Sequence, residues 1–211
     1  MMDSSETVEP GPVIRTGEAN AHTLDLYEDP RCSYCGRVEQ ELGPTIKRLA
    51  DEAGYDIAYH IAIFLDRGDE KGGSTSAAAA LGAAAAAGID RFDALRTALF
   101  DYRLNHGGDG FADPDVLRGL AVQALGADFA AVGRAINEDR YHAWALSAGP
   151  AALASLRAAW AAAELPGKAG TPAAFLDGRA VEVLTPAGDP LGPEEFEANL
   201  RAALAAAEGE A

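Results

Sequence analysis

The chain has 211 residues, of which 48% are hydrophobic, and its formal net charge is −16 at pH 7. Nucleic acids and anionic lipid surfaces bind mainly through Lys and Arg side chains, so this acidic composition argues against both as partners. Residues 1–18 lack the basic and apolar regions of a signal peptide, and the apolar run 77–87 is too short to span a membrane. We therefore expect a cytoplasmic protein with no nucleic-acid and no membrane partner.

The first half of the chain indicates a strand, a helix and a second strand. Residues 1–20 show no periodic pattern, and we expect a flexible lead-in there. Residues 22–28 predict a short strand, and residues 55–65 predict another because they are rich in β-branched and aromatic side chains. Between them a helix is predicted to begin near Ser33, because one face collects the apolar residues Val38, Leu42, Ile46 and Leu49.

The second half indicates a block of helices followed by a hairpin and a last helix. Helices are predicted near 76–87, 90–104, 114–125, 128–137 and 150–164. Asp177-Gly178 then lies between two apolar runs, which is typical of a tight β-hairpin. A final helix is predicted to begin at Pro193, because proline suits the first turn of a helix.

This order of elements predicts an α/β fold that is interrupted by a helical insertion. Residues 21–72 form the first half (βαβ), residues 73–165 the all-helical insertion, and residues 166–211 the second half (ββα). A parallel βαβ unit joined to an antiparallel hairpin gives a four-stranded mixed sheet with helices on both faces.

The two cysteines of the chain, Cys32 and Cys35, form a C-x-x-C pair at the predicted start of the first long helix. A reducing cytosol disfavours a structural disulfide, so the pair indicates either redox chemistry or part of a metal site. Zinc normally takes four ligands, and no histidine lies near the pair in sequence. We therefore favour redox chemistry and expect no metal and no cofactor beyond the Cys32–Cys35 disulfide itself.

The position of the pair predicts different roles for the two thiols. Cys32 at the helix N-terminus should have a lowered pKa, because unpaired amides and the helix dipole favour its thiolate, and it should attack substrate disulfides. Cys35 should be more buried and should release the substrate from the mixed disulfide. Arg31 is expected to favour the thiolate, and the charges of Glu28 and Asp29 to oppose it.

Three features together resemble the DsbA-like thiol–disulfide oxidoreductases of the thioredoxin superfamily, over nearly all of the chain after about residue 20. They are LYEDPRCSYC before a helix, the helical insertion, and AGTPAAFLDGR with its hairpin. The resemblance implies a thioredoxin-like fold and a cis bond before Pro172, beside the cysteines. It also implies that the Thr171 backbone pairs with an extended substrate by strand addition. Ser33 and Tyr34 would tune the redox potential, and Tyr34 would contact substrate.

The sequence also departs from that family at three positions. Ser33 stands where proline is common, and Tyr34 stands where DsbA carries histidine. Leu26 stands where many thioredoxins bury an acid. Asp25 is one position away, so its side chain should face the other side of the strand, and whether it takes part in proton transfer stays open.

The resemblance implies partners of two kinds: a protein or low-molecular-weight substrate that contains a disulfide or thiol, and a redox recycling partner. The direction of exchange, reductase or isomerase against oxidase, stays open, and the helical insertion is expected to cover the active-site face. One alternative is a small-molecule enzyme like the kappa-class glutathione transferases and isomerases, which generally lack a C-x-x-C pair. Another is a redox-inactive or metal-binding module with the thioredoxin fold.

Overall fold

The computed structural model describes residues 10–17, 20–106 and 110–209. Within these residues the strands are β1 (Ile14–Thr16), β2 (His22–Glu28), β3 (Tyr55–Ile61), β4 (Ala173–Leu176) and β5 (Arg179–Val181). The helices are α1 (Ser33–Ala53), α2 (Gly73–Ala87), α3 (Ile89–His106), α4 (Pro114–Leu125), α5 (Phe129–Asn137), α6 (His142–Ala162) and α7 (Pro193–Glu208). A 3-10 turn over Gly126–Asp128 separates α4 from α5.

The strands form one mixed sheet in the order β1-β3-β2-β4-β5. β2 and β3 are parallel and connected through α1, whereas the other neighbouring strands are antiparallel. Asp177 and Gly178 close the β4–β5 hairpin with φ angles of 49° and 83°, the positive values that a tight hairpin turn needs. The predicted α/β fold is confirmed, but the described sheet has five strands where the sequence predicted four.

The additional strand is β1, which falls inside the segment that the sequence predicted to be a flexible lead-in. Ile14 pairs with Tyr59 of β3 and is buried, and Thr16 accepts a hydrogen bond at Oγ1 from the Ile57 amide over 3.1 Å. The prediction was wrong there because a three-residue edge strand is too short to show an alternating pattern. Residues 1–9 and 18–19 lie outside the described part of the chain.

Helices cover both faces of the sheet, as the sequence predicted. On one face, the predicted apolar stripe of α1 and the residues Phe196 and Leu200 of α7 pack against Leu24 and Leu26 of β2. On the other face, Leu156 of α6 packs against Tyr27 and Phe175. Alternate residues of β2 therefore face two different helical layers, as the period of a strand requires.

In the insertion, α2 packs between neighbouring helices because its side chains are small. Most of its alanines are buried, and a Cβ at Gly82 would lie 2.7 Å from the indole of Trp144. That distance is shorter than side-chain atoms tolerate, so α2 and α6 pack this closely because residue 82 is glycine.

α6 begins earlier than the sequence predicted. The sequence placed its start at residue 150, where proline commonly opens a helix. In the structure Pro150 lies inside a helix that begins at His142. The buried residues Trp144, Ala145 and Ala148 precede the proline and belong to the main core, so packing stabilises a helical turn that local sequence preference disfavours.

Within residues 10–17, 20–106 and 110–209, the segment Pro114–Asn137 alone has the length and apolar composition of a membrane-spanning helix. In the structure this segment is divided between α4 and α5 by the turn at Gly126. One such segment is weak evidence for a span, and the expectation that the protein has no membrane partner stays a prediction.

Asp66 joins the start of the insertion to the residue before Cys32. Its carboxylate accepts hydrogen bonds from the amides of Ser74 (2.9 Å) and Thr75 (2.7 Å), which lie in the first turn of α2. The hydroxyl of Thr75 and the guanidinium of Arg31 also donate to it, over 2.8 Å and 2.7 Å. Although burial opposes its ionisation, these hydrogen bonds hold the pKa of Asp66 below its usual value. The carboxylate therefore satisfies amides that a helix start leaves unpaired.

We expect the substitution Asp66→Ala to lower the free energy of unfolding by about 3 kcal/mol, because it removes the acceptor of the buried Ser74 and Thr75 donors and an ion-pair partner of Arg31. Urea denaturation of the purified variant measures this loss. Glu70→Ala, an exposed acidic residue a few positions later, is the matched control and should change stability by less than about 0.5 kcal/mol. Equal effects of the two substitutions would contradict the role of Asp66.

Candidate active site

The C-x-x-C segment, Cys32–Cys35, lies at the beginning of α1. Cys32 is the N-cap residue, with an extended backbone (φ −73°, ψ 114°) and no side-chain cap hydrogen bond. A turn leads into it, because the Cys32 amide donates to the Asp29 carbonyl over 2.9 Å. The sequence predicted this placement, and it brings the Cys32 sulfur to the end of the helix where amides are unpaired and the dipole is positive.

The two sulfurs differ in burial. Both cysteines are free thiols. Cys32 is 7% exposed, whereas Cys35 is 0% exposed, and Phe100 of α3 packs against both of them, with Leu65 beside it. A reagent from solution can therefore reach Cys32 but not Cys35 unless the site opens.

The surroundings of Cys32 stabilise its thiolate. A hydrogen bond from the Cys35 thiol, together with the amides of Cys35 and Tyr34, lowers the pKa of Cys32 to about 6 against the opposing effect of burial. The side chain of Thr171 contributes to this lowering of the pKa. Its Oγ1 is buried and has no other hydrogen-bond partner in the described part of the chain, so it is available to donate to the sulfur.

Cys35 is shifted in the opposite direction. Burial raises the pKa of Cys35 well above its ordinary value, because a charged sulfur would lose its hydration. The hydrogen bond to Cys32, the charge of the Cys32 thiolate and the charge of Glu28 all raise it further. At neutral pH the reduced site therefore holds a thiolate at Cys32 and a protonated thiol at Cys35.

The segment Thr171–Pro172 lies next to Cys32. The peptide bond between the two residues is cis. The Thr171 carbonyl oxygen is 3.4 Å from the Cys32 sulfur, which donates to it when protonated. β4 begins one residue after Pro172 and pairs with β2, so the sheet itself brings Thr171 to the C-x-x-C segment. Its pairing with an extended substrate stays a prediction.

Tyr34 projects from the C-x-x-C segment and is 46% exposed. The Arg37 guanidinium lies 4.6 Å from the centre of its ring, and Arg37 also pairs with Asp189 (3.0 Å) and donates to the Gly188 carbonyl (3.2 Å). A Cβ at Gly188 would lie 3.3 Å from the Tyr34 ring. The sequence missed this contact, because the glycine and prolines of 185–190 indicate a turn but not where the turn packs. Ser33 opens α1 and is partly buried.

Arg31 immediately precedes Cys32, but its side chain is directed elsewhere. Its guanidinium pairs with the buried carboxylate of Asp66, and its amide donates to Asp29 Oδ1 over 2.9 Å. The arginine that the sequence placed beside the thiolate therefore also connects the C-x-x-C segment to the insertion.

α3 packs directly on the start of α1, and the sequence identified none of its residues as part of the active site. Besides Phe100, Arg103 donates from Nε to the Arg31 carbonyl oxygen over 2.6 Å. Leu104 packs so closely on Gly36 that a Cβ there would lie 3.1 Å from its Cγ. The insertion therefore contacts the active site through α3.

A buried ionic cluster lies beneath the active site. Arg96 of α3 is 2% exposed and pairs with Glu28 at the end of β2 (2.7 Å from Nε) and with Glu39 of α1 (2.7 Å). A buried charge needs such partners. Asp25 lies elsewhere, with its Oδ1 2.7 Å from Nε2 of His60, which stacks on Tyr27 on the face that α6 covers. Asp25 thus faces away from α1, as its position in the strand predicts.

The described residues contain no group of three or more His, Cys, Asp or Glu side chains that could hold a metal ion. The arrangement therefore offers one chemical centre within this part of the chain: a nucleophilic sulfur, a buried second sulfur, and the Thr171 backbone beside them.

Residues 9–201 match the family model described as Thioredoxin. No curated protein matches the chain in sequence. The reduced DsbA from Mycobacterium tuberculosis is 25% identical and superposes with a TM-score of 0.63, over 89% of this chain and 98% of that chain. The reduced disulfide bond oxidoreductase DsbG from the same organism is 26% identical, with a TM-score of 0.62 over 89% of this chain and 94% of that chain.

MdbA, a thiol-disulfide oxidoreductase from Corynebacterium matruchotii, is 21% identical, with a TM-score of 0.67 over 82% of this chain and 83% of its own, a likeness that bears on the fold alone. The family match covers the sheet, the insertion and the C-x-x-C segment together. This chain therefore belongs to the thioredoxin family, and its structural neighbours are DsbA-like thiol–disulfide oxidoreductases.

Proposed function

We propose that this protein exchanges disulfides with its substrates through Cys32 and Cys35. The observation that carries the proposal is the opposite shift of two neighbouring thiols: the pKa of Cys32 is lowered to about 6, and burial raises that of Cys35. A structural pair of cysteines needs no such difference. Disulfide exchange requires this difference in pKa, because the attacking thiol must be ionised and the second thiol must stay protonated until it reacts.

The reaction follows from this difference. The Cys32 thiolate attacks one sulfur of a substrate disulfide, the substrate S–S bond breaks, and the released thiolate takes a proton. Cys35 then loses its proton and attacks the Cys32 sulfur of the mixed disulfide, which expels the second substrate sulfur as a thiolate. Two electrons have passed to the substrate, and Cys32 and Cys35 are joined. The reverse sequence oxidises a substrate dithiol.

An extended substrate would lie against Thr171, whose backbone is beside the Cys32 sulfur at the start of β4. Strand addition there would place a substrate sulfur close to Cys32. A partner of either thiol or disulfide type must also restore the starting state after each turnover, because the exchange leaves the pair in the opposite redox state. The cytoplasmic location stays a prediction.

The first prediction from this function concerns the two sulfurs separately. Cys32→Ser should lower the rate of disulfide exchange by at least about 10³-fold, because it removes the nucleophile. Cys35→Ser should instead accumulate a mixed disulfide with substrate, which non-reducing gel electrophoresis or mass spectrometry detects. Exchange at the full rate by Cys32→Ser would refute the proposal.

The second prediction concerns pH. Because the Cys32 thiolate forms with a pKa of about 6, its alkylation by iodoacetamide should rise with pH, reach half its maximum near pH 6, and change little above pH 8. Cys35 should stay unmodified at neutral pH, since its pKa is raised and its side chain is buried. Mass spectrometry of the reduced protein after timed alkylation measures both sites. A midpoint near the ordinary value of about 8.5 would contradict the site as described.

The third prediction concerns the direction of exchange. A stabilised thiolate favours the reduced state, and the Cys32 pKa of about 6 lies between those of thioredoxin (about 7) and DsbA (about 3.5). We expect a reduction potential between about −270 mV and about −120 mV, the values of those two proteins. Equilibration against a glutathione buffer with alkylation trapping measures it. A potential at the lower end indicates a reductase and one at the upper end an oxidant, and a potential below this range would contradict the argument.

A further inference from the structure

Three arginines surround the C-x-x-C segment, and they differ in what their guanidinium groups bind. Arg31 pairs with Asp66, and Arg37 pairs with Asp189 and donates to the Gly188 carbonyl. Arg103 uses Nε alone, in its hydrogen bond to the Arg31 carbonyl. Within the part of the chain that the structure describes, its two terminal nitrogens form neither an ion pair nor a hydrogen bond.

The position of Arg103 is determined by contacts on both sides of it. The Arg31 carbonyl that it binds belongs to the peptide unit joining Arg31 to Cys32, so the guanidinium lies one peptide unit from the nucleophilic residue. Phe100 and Leu104 of the same helix pack on the two cysteines and on Gly36. An arginine side chain is therefore held beside Cys32 with one edge of its planar group unoccupied.

The nearby carboxylates form no ion pair with the Arg103 guanidinium in the described part of the chain. Asp29 and Asp66 accept hydrogen bonds from Ser74, and Glu28 pairs with Arg96. The chain as a whole carries a net charge of −16, so its field repels anionic molecules in solution. An anionic substrate would need a local cation to bind at this site, and the planar, two-pronged edge of a guanidinium matches a carboxylate better than any other common side chain does.

We propose that Arg103 recognises a carboxylate carried by the substrate, and that the substrate is a low-molecular-weight disulfide with this carboxylate a few bonds from its sulfur. The proposal rests on the disulfide-exchange function proposed above and names the substrate class. A small molecule can make both contacts at once, because the Arg103 guanidinium is hydrogen-bonded to the peptide unit that joins Arg31 to Cys32. A small molecule also carries only one or two negative charges, so the acidic chain repels it less than it would repel an acidic protein.

The experiment compares three small disulfides that differ in charge: dithiodipropionate with two carboxylates, bis(2-hydroxyethyl) disulfide without charge, and cystamine with two ammonium groups. The rate constant for oxidation of the reduced protein is measured with each by alkylation trapping. Leaving thiols of different pKa react at different intrinsic rates, so the quantity compared is the ratio of variant to wild-type rate constants for each probe. The intrinsic reactivity of each probe cancels in this ratio.

Arg103→Gln should lower the rate constant for dithiodipropionate about tenfold more than that for bis(2-hydroxyethyl) disulfide, the loss expected for one charge-assisted contact. In the same variant, the rate constant for cystamine should fall less than that for the uncharged probe, or should rise. Arg103→Lys keeps the charge without the planar group and should retain part of the preference for the dicarboxylate.

Arg201→Gln is the matched control. Arg201 pairs with Glu197 and with Glu52 near the other end of α1, roughly 30 Å from Cys32 by the rise of the helix. Arg201→Gln removes the same unit of charge as Arg103→Gln, and it should change the three rate constants by the same factor.

Two results would count against the proposal, and they are distinct. If Arg103→Gln lowers all three rate constants by the same factor, Arg103 acts through the C-x-x-C segment rather than on the carboxylate, and the inference is overturned while disulfide exchange stands. If the wild-type protein reacts with none of the three disulfides, the inference is overturned, and the exchange function is overturned with it only if a disulfide-containing peptide also fails to oxidise Cys32 and Cys35.

Discussion

The arrangement of the active site depends on the buried carboxylate of Asp29. It accepts hydrogen bonds from the Arg31 amide, from the amides of Phe64 and Leu65, and from the hydroxyl of Ser74. These donors belong to three segments: the residues before Cys32, the segment after β3, and the first turn of α2. Burial raises the pKa of Asp29 and makes its charge costly, and the four donors offset that cost. One side chain therefore fixes the C-x-x-C segment relative to the insertion.

The difference between the two thiols follows from that arrangement. With the start of α2 fixed, α3 packs on α1 and Phe100 lies in one buried cluster with both sulfurs, so Cys35 is fully enclosed while Cys32 keeps a small exposed fraction. Arg96 fixes the same helix from below, because its buried charge must stay between Glu28 and Glu39. The raised pKa of Cys35 is thus a consequence of tertiary packing as well as of the C-x-x-C spacing, whereas the lowered pKa of Cys32 depends on its hydrogen bonds and is opposed by burial.

The sequence predicted those parts of the site that neighbouring residues determine. Cys32 at a helix start, the α1 stripe and the Asp177-Gly178 hairpin each depend on a few adjacent residues. Long-range packing could not be predicted. Arg103 and Arg31 are 72 positions apart, and Arg37 and Asp189 are 152 apart, so no local pattern connects them. The short strand β1 and the early start of α6 were missed for a related reason, because both depend on packing that outweighs local preference.

The contact between α3 and the C-x-x-C segment has an evolutionary consequence. The groups that give Cys32 its reactivity come from the thioredoxin-like part of the chain, whereas Phe100, Arg103 and Leu104 come from the insertion. Substitutions in α3 that leave Phe100 in place can therefore change the surface beside Cys32 without removing the hydrogen bonds that lower its pKa. Copies of such a gene that arise by duplication can therefore diverge in the molecules that they contact, while the C-x-x-C segment keeps its thiol chemistry.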